Sequence, residues 1–274
     1  MTSVSIALVY PDLLGTYGDG GNATVLAQRL RWRGHDCEVA SFGAGDAVPS
    51  SCDLYVVGGG EDLPQSLAAR KLAESRALHR AVDNGAVVLA ICAGLQVLGE
   101  SFVGPDGRTS EGLGLLGCTT DRGRGPRAVG ETVVEPGPVW AALGLQTCTG
   151  FENHGGVTRL SEGTVPVGRV SAGVGNSDGT LEGAVRGRVW GTYLHGPVLA
   201  RNPTLADLLL TWVVGELAPL DDSRPEALHR ERLRNGPSER ATGVAQVQRA
   251  VRVAGATLER LARAGAARCR PEAP

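Results

Sequence analysis

Cys92 closes the apolar run Ala86-Val87-Val88-Leu89-Ala90-Ile91 and opens Ala93-Gly94-Leu95-Gln96. That order of buried strand, sharp small-residue turn and first helical turn is how a fold presents a nucleophile. Unpaired amides and the positive dipole end at a helix N-terminus favour a thiolate. A small buried core cysteine fits the same residues. Far downstream, Val189-Trp190-Gly191-Thr192-Tyr193-Leu194-His195 reads as another strand ending in a histidine. The carboxyl ends of parallel strands share one sheet edge, so the two side chains can meet there. His195 would then take the thiol proton and return it to a leaving amine. A histidine at a strand end is otherwise a structural group, and only the pairing raises His195 above His35, His79 and His229, which sit among charged residues and read as surface.

Other residues supply what such a centre needs around it. Gly58-Gly59-Gly60 follows the apolar run Leu54 to Val57. The backbone amides of Gly59 and Gly60, beside that of Ala93, suit an oxyanion hole, although a glycine run is also plain turn chemistry. Gln96, one helical turn beyond Cys92, faces the same pocket or caps local backbone groups. Asp19 and Asn22 lie in Tyr17-Gly18-Asp19-Gly20-Gly21-Asn22, a turn at the edge where the other loops gather. Glu152, Asn153 and His154 offer one histidine and one glutamate with no cysteine pair, too few ligands for zinc, so no metal is assigned.

These motifs together resemble the class I glutamine amidotransferases, in their cobyric acid synthase-like (CobB/CobQ) branch. Ala90-Ile91-Cys92-Ala93-Gly94-Leu95-Gln96 and Tyr193-Leu194-His195-Gly196-Pro197 carry that likeness. The Tyr17–Asn22 segment and Gly150-Phe151-Glu152-Asn153-His154-Gly155-Gly156 look like the GatD-type glutaminase subunits of lipid II isoglutaminyl synthases, a likeness that implies site or partner contacts at Asp19, Asn22, Glu152 and Asn153. The likeness runs over roughly residues 1 to 215. It implies hydrolysis of L-glutamine through a Cys92 thioester, with ammonia passed to a Mur ligase-like (MurT-like) synthetase subunit in a heterodimer. ATP and magnesium would act on that partner, amidating the D-glutamate of lipid II. It also makes Arg127 the cation for the glutamine carboxylate, which a guanidinium fork suits, with Arg122 and Arg124 as competitors. Glutaminases serving cobyrinate or cobyrate amidation, and a non-catalytic regulatory subunit on the same scaffold, are the alternatives.

The chain departs from the wider class at one point. Many class I members place a glutamate two residues after the histidine, where this chain has Pro197 followed by Val198. The cobyric acid synthase-like branch shares this gap. An imidazole without an acid has nothing to fix its tautomer, so the expected source of the carboxylate is the partner subunit.

The elements that position these groups follow from patterning. Strand-like runs at Val4–Val9, Cys37–Ala40, Leu54–Val57, Ala86–Ile91, Val165–Val170 and Val189–Tyr193 are joined early on by helical patterns at Gln28–Arg33, Leu67–Asp83 and Leu95–Gly99. The expected fold is α/β and flavodoxin-like, a mixed, mostly parallel sheet flanked by helices, with antiparallel additions in the glycine-rich middle. Leu205–Leu217 reads as a closing helix. The amidotransferase domain is expected over residues 1–234, and residues 235–274, rich in alanine and arginine, as a helical or mobile tail.

Composition excludes several classes. The net charge of −2 and scattered basic residues lack the stripe that phosphate-backbone binding demands. No apolar run reaches a transmembrane length and no basic leader precedes the first strand, which predicts a cytoplasmic protein. Six cysteines without close pairs read as free thiols of a reducing compartment. The one lysine, Lys71, follows Arg70, so no phosphate-binding Gly-Lys-Ser/Thr loop exists and ATP must be handled elsewhere.

Overall fold

A computed structural model describes residues 3–104, 106–177 and 179–235. In chain order the elements begin β1 (Val4–Val9), α1 (Gly21–Trp32), β2 (Cys37–Phe42), β3 (Leu54–Val57), α2 (Asp62–Ser75), α3 (Ala77–Asp83), β4 (Val87–Ile91) and α4 (Ala93–Leu98). The middle holds β5 (Ser101–Val103), β6 (Thr109–Glu111), β7 (Cys118–Arg122), β8 (Ala128–Pro136), α5 (Pro138–Ala142), β9 (Cys148–His154), β10 (Gly156–Leu160), β11 (Gly168–Ala172) and β12 (Leu181–Glu182). The described chain ends with β13 (Ala184–Arg186), β14 (Val189–Thr192), α6 (Val198–Arg201), α7 (Pro203–Val214) and α8 (Ser223–Asn235).

The central sheet has the order β13-β14-β4-β3-β1-β2, parallel except for β13 against β14. The run 2-1-3-4 is that of flavodoxin-like sheets, and their ligand crevice lies beyond the carboxyl ends of the strands. Every residue of β3, β4 and β14 is buried, which is why these strands are continuously apolar rather than alternating. The glycine-rich middle forms two four-stranded sheets, β10-β7-β5-β6 and β12-β11-β8-β9. All the pairings in both are antiparallel except β5 with β7.

Local chemistry explains where the elements differ from the sequence pattern. The helix expected over Leu67–Asp83 starts earlier and is broken into α2 and α3 by Arg76, whose φ of 50° is left-handed. The strand expected at Val165–Val170 begins only at Gly168. Val165 makes an isolated bridge to Val185, and Pro166 has no amide to continue it. His229, read as surface, is buried with Nδ1 against the Arg201 carbonyl at 3.1 Å, and His79 has Nε2 on the Leu113 carbonyl at 2.8 Å. The tail expected over 235–274 lies outside the described residues, apart from Asn235 at the end of α8.

One ionic lock orients the helix that follows the Asp19 loop. Arg29 of α1 is buried and binds both carboxylate oxygens of Asp207 on α7 at 2.7 Å and both of Asp222 at 2.8 and 2.6 Å. Arg33 adds a further contact to Asp207 at 2.7 Å. A planar guanidinium satisfied by two bidentate carboxylates fixes direction as well as distance, so α1 enters the site at a set angle.

Candidate active site

Four loops leave the carboxyl edge of the central sheet and meet there: residues 10–20 after β1, Gly58–Gly60 after β3, Cys92 after β4 and Tyr193–Pro197 after β14. Cys92 has φ 51° and ψ −104°, a strained turn for a residue with a side chain. The backbone holds it because Cys92 N–H donates to the Thr192 carbonyl at 2.8 Å and Gln96 N–H closes the first turn of α4 on the Cys92 carbonyl at 3.1 Å. Gly94 is required beside it: a Cβ there would stand 2.5 Å from the Val57 carbonyl oxygen. Such strain, kept by surrounding bonds, is characteristic of a positioned nucleophile.

His195 is fixed through its backbone. It exchanges both hydrogen bonds with Phe151 of β9, at 2.9 and 3.2 Å. Its Nδ1 faces both carboxylate oxygens of Asp19, at 3.1 and 3.2 Å, and Asp19 is fully buried. The other nitrogen, Nε2, is buried without a partner. Burial alone would lower the imidazole pKa, but the charge and hydrogen bond of Asp19, then the adjacent Cys92 sulfur, push it up to about 10. The pair therefore makes His195 a strong acceptor for the thiol proton, with Asp19 beneath Nδ1 and Cys92 beside the ring.

The acid expected from a partner subunit is thus present within the chain. In sequence Asp19 reads as turn chemistry that only the family resemblance lifts towards a site or a partner contact, because nothing near it announces a catalytic acid. Its loop is pinned by Thr16 N–H to the Gly59 carbonyl at 3.2 Å and by Gly59 N–H to Asp19 Oδ2 at 2.9 Å. Asn22 braces it from below: its Nδ2 donates to the Asp19 carbonyl at 2.9 Å, and its Oδ1 accepts from Leu199 N–H at 3.0 Å.

The glycine run serves close approach first. A Cβ at Gly58 would meet the Leu14 carbonyl oxygen at 2.1 Å, one at Gly60 the Leu13 carbonyl oxygen at 2.6 Å, and one at Gly59 the His195 ring at 2.8 Å. The three glycines admit the loop that carries Asp19. Gly59 N–H is consequently spent on Asp19, which corrects its reading as an oxyanion donor. Gly60 N–H makes no hydrogen bond among the described residues, and Ala93, as the first helical amide, has no intrahelical acceptor.

The remaining sequence candidates separate into two groups. Gln96 accepts from Gln65 at 2.8 Å and donates to the Tyr193 hydroxyl at 3.0 Å, so both ends of its amide are used inside the protein. Tyr193 is fully buried, stacks on His154 at 3.8 Å and continues through Thr158 to Thr120, forming the wall behind the cysteine. Glu152 accepts from the amides of Val174 and Gly175 at 2.8 Å each and lies 3.6 Å from His154 Nε2. Burial would raise its pKa, but His154 and those two amides hold it below the usual carboxylate range. Glu152 is therefore a brace for the 173–175 turn. Asn153 and Arg127 point the other way, towards the Tyr17 side of the site. Arg127 Nε donates to Asn153 Oδ1 at 2.5 Å and Nη2 to the Asn153 carbonyl at 3.0 Å. Asn153 Nδ2 donates to the Tyr17 hydroxyl at 2.7 Å, and the Tyr17 ring lies 4.6 Å from that of His195.

Residues 5–203 match the CobB/CobQ-like glutamine amidotransferase domain. The chain belongs to that family. Among its relatives is the lipid II isoglutaminyl synthase (glutamine-hydrolyzing) subunit GatD of Staphylococcus aureus, 36% identical over 213 residues that cover 77% of this chain and 84% of that protein. The subunit of the same name from Streptococcus pneumoniae is 36% identical over 76% of this chain and 79% of its own. A cobyric acid synthase of Pelotomaculum thermopropionicum is also 36% identical, over 60% of this chain but 33% of that enzyme. In structure, a glutamine amidotransferase matches 76% of this chain and 98% of its own with a TM-score of 0.52 at 19% identity. A second, from Thermotoga maritima, gives 0.50 at 16% identity over 86% and 92%. At these identities the structural matches establish the shared fold. The protein is a glutamine amidotransferase of α/β, class I architecture.

Proposed function

We propose that this chain is the glutaminase subunit of a lipid II isoglutaminyl synthase. The supporting observation is the Cys92–His195–Asp19 constellation in a chain 36% identical to two GatD subunits over about four-fifths of their length. The Cys92 thiol proton passes to His195 Nε2, and the sulfur attacks the carboxamide carbon of L-glutamine. Amides at Gly60 and Ala93 receive the developing oxyanion. As the C–N bond breaks, the imidazolium protonates the departing nitrogen, releasing ammonia and leaving a thioester. Neutral His195 then takes a proton from water, whose oxygen displaces the sulfur and gives glutamate and the free thiol. Asp19 holds Nδ1–H throughout, so that Nε2 faces the chemistry.

In this reading ammonia passes to a Mur ligase-like synthetase subunit. That partner, with ATP and magnesium, activates the α-carboxyl of the D-glutamate in lipid II and converts it to D-isoglutamine. A cytoplasmic location accords with an ATP-dependent partner and with free thiols at all five described cysteines. Among the described residues no helix is long and apolar enough to cross a membrane. Amidation of cobyrinate or cobyrate is the second reading, favoured by the cobyric acid synthase match, which takes in only 33% of that enzyme. A non-catalytic subunit is disfavoured by the strained cysteine and the intact acid–imidazole pair.

Ammonia release from glutamine, measured for the chain alone and with a co-purified Mur ligase-like subunit, tests the proposal with Cys92→Ala as control. Cys92-dependent release coupled to ATP-dependent amidation of lipid II supports it. Release coupled to cobyrinate amidation instead supports the second reading, and absence of Cys92 labelling by a glutamine-analogue chloroketone supports the third.

A further inference from the structure

Arg127 is exposed at the surface end of β8, yet two of its five N–H groups are already committed to one residue. Asn153 takes Nε–H on its side-chain oxygen and one Nη2–H on its backbone carbonyl. The Tyr17 hydroxyl meets the same guanidinium, so Asn153 and Tyr17 hold the fork together and its remaining N–H groups are left for a carboxylate, which a guanidinium can grip with two parallel bonds. An arginine on a surface strand otherwise samples many rotamers and loses that entropy on binding.

The same asparagine is tied to the reacting centre in two further ways. Its side-chain amide donates to the Tyr17 hydroxyl, and the Tyr17 ring packs against His195. Its strand, β9, exchanges backbone hydrogen bonds with His195 through Phe151, two residues away. Asn153 thus sits on a rigid element registered to the imidazole, half-buried, with both ends of its amide used. Nothing in the cysteine chemistry requires it. The Tyr17 hydroxyl is also held above its ordinary pKa, by burial in the first place, so it stays a neutral acceptor for the amide.

We infer that Asn153 and Tyr17 are positioning residues that aim the Arg127 fork at the α-carboxylate of glutamine and set its distance from Cys92, and so act as determinants of substrate length and charge. This rests on the glutaminase reading and extends it to the far end of the substrate. A ligand lacking the α-carboxylate gains nothing from the arrangement, whereas glutamine is presented with a pre-aimed guanidinium. Pre-organisation of this kind shows as KM rather than kcat, because the carboxylate is bound equally in ground and transition states.

The test compares Asn153→Ala and Tyr17→Phe with Arg127→Ala in the complex with its synthetase subunit. Steady-state glutaminase kinetics are paired with two alkylations of Cys92, one by a glutamine-analogue chloroketone that carries the α-carboxylate and one by iodoacetamide, which does not. For Asn153→Ala the expected result is a KM for glutamine about tenfold higher and chloroketone labelling slowed by about the same factor, as loss of a hydrogen bond to a charged group implies. The kcat should stay within about threefold and iodoacetamide labelling should be unaltered. Tyr17→Phe should move the same quantities in the same direction by less. Equal slowing of both reagents would mark a merely structural role and overturn the inference. So would an Asn153→Ala protein with wild-type KM beside an Arg127→Ala protein with a raised one. A wild-type complex that the chloroketone does not label would overturn the glutaminase reading, and the inference with it.

Discussion

Replacing Asp19 by Asn keeps shape and volume but removes the charge that faces His195 at 3.1 Å. In the native site Oδ2 accepts both from Gly59 N–H and from the His195 ring. With an asparagine oxygen in the Oδ2 place its NH2 takes the Oδ1 place, 3.2 Å from Nδ1, and confronts an Nδ1–H there, whereas the flipped amide confronts Gly59 N–H as well; the ring is driven to the tautomer with a bare Nδ1 and the proton on Nε2. That tautomer cannot accept the thiol proton. The charge matters independently. His195 stands at about 10 because Asp19 overrides a burial that by itself lowers the value. Without Asp19 it returns to its ordinary value or below. At pH 7.5, one unit above 6.5, only about a tenth of the imidazole would be protonated. Loss of tautomer and charge together should reduce kcat by on the order of 10³–10⁴, the scale seen when a buried aspartate behind a catalytic histidine is made asparagine. The assay is ammonia release from saturating glutamine between pH 6 and 10, with circular dichroism and thermal melting as controls for folding. An Asp19→Asn protein within about threefold of wild type, folded and with an unchanged pH profile, would refute the assignment of Asp19 as the orienting acid. The same series run with and without the synthetase subunit decides whether any partner carboxylate contributes. The pair also affects stability. A group whose folded pKa is raised stabilises fully below its ordinary value and loses that contribution as pH rises through the folded value. Wild type should therefore lose stability between about pH 6.5 and 10 through this group, and Asp19→Asn should be flatter across that window.

Gly59→Ala should lower kcat by about 100-fold or more with the fold retained, because its Cβ would lie 2.8 Å from the His195 ring and 3.1 Å from Asp19 Oδ2; glutaminase assays beside circular dichroism check it. Glu182 is fully buried, with Oε1 accepting from the Thr192 hydroxyl and the Tyr193 amide and Oε2 unpartnered. Burial raises its pKa from 4.5 to about 7 despite those two donors, so the folded state is penalised progressively as pH climbs from 4.5 to 7. Glu182→Gln, which keeps the Oε1 acceptor, should remove up to about 3 kcal/mol of that penalty above pH 7 and leave stability at pH 4.5 nearly unchanged. Urea unfolding at the two pH values reads it directly, and equal effects at both would contradict the burial argument. Arg127→Ala should raise KM for glutamine strongly while Arg124→Ala leaves it nearly unchanged, as initial-rate kinetics will show.

What was legible in the sequence was local. The buried run ending at Cys92, the strand ending at His195 and the helices alternating with the first strands all declare themselves over ten residues or fewer. A strand buried on both faces must be apolar throughout, and a nucleophile turn must have small neighbours, so composition alone reveals them. Gly94 is an example: its need for no side chain is written in the contact with Val57, and its identity was visible beforehand. Even the parallel order of the sheet follows from strands and helices that alternate. The break at Arg76 was not legible, since arginine carries no signal for a left-handed φ.

The third member of the site depended on tertiary structure. Asp19 lies 176 residues from His195 in sequence and in a segment whose composition speaks only of a turn. Its role comes from two loops crossing at one sheet edge, and no short-range pattern encodes a crossing. The glycines at 58 to 60 show the same division. As a sequence they suit a substrate cradle, whereas the fold uses them to let the Asp19 loop come within hydrogen-bonding distance of Gly59. Gln96 likewise reads as facing a pocket, and only packing shows both ends of its amide taken by Gln65 and Tyr193. The sequence by itself determined the candidate nucleophile, the candidate base and the scaffold, because each is a matter of periodicity and neighbours. The tertiary structure decided which carboxylate faces His195, which amides stay free and where Arg127 points, because hydrogen-bond partners are chosen by distance in space.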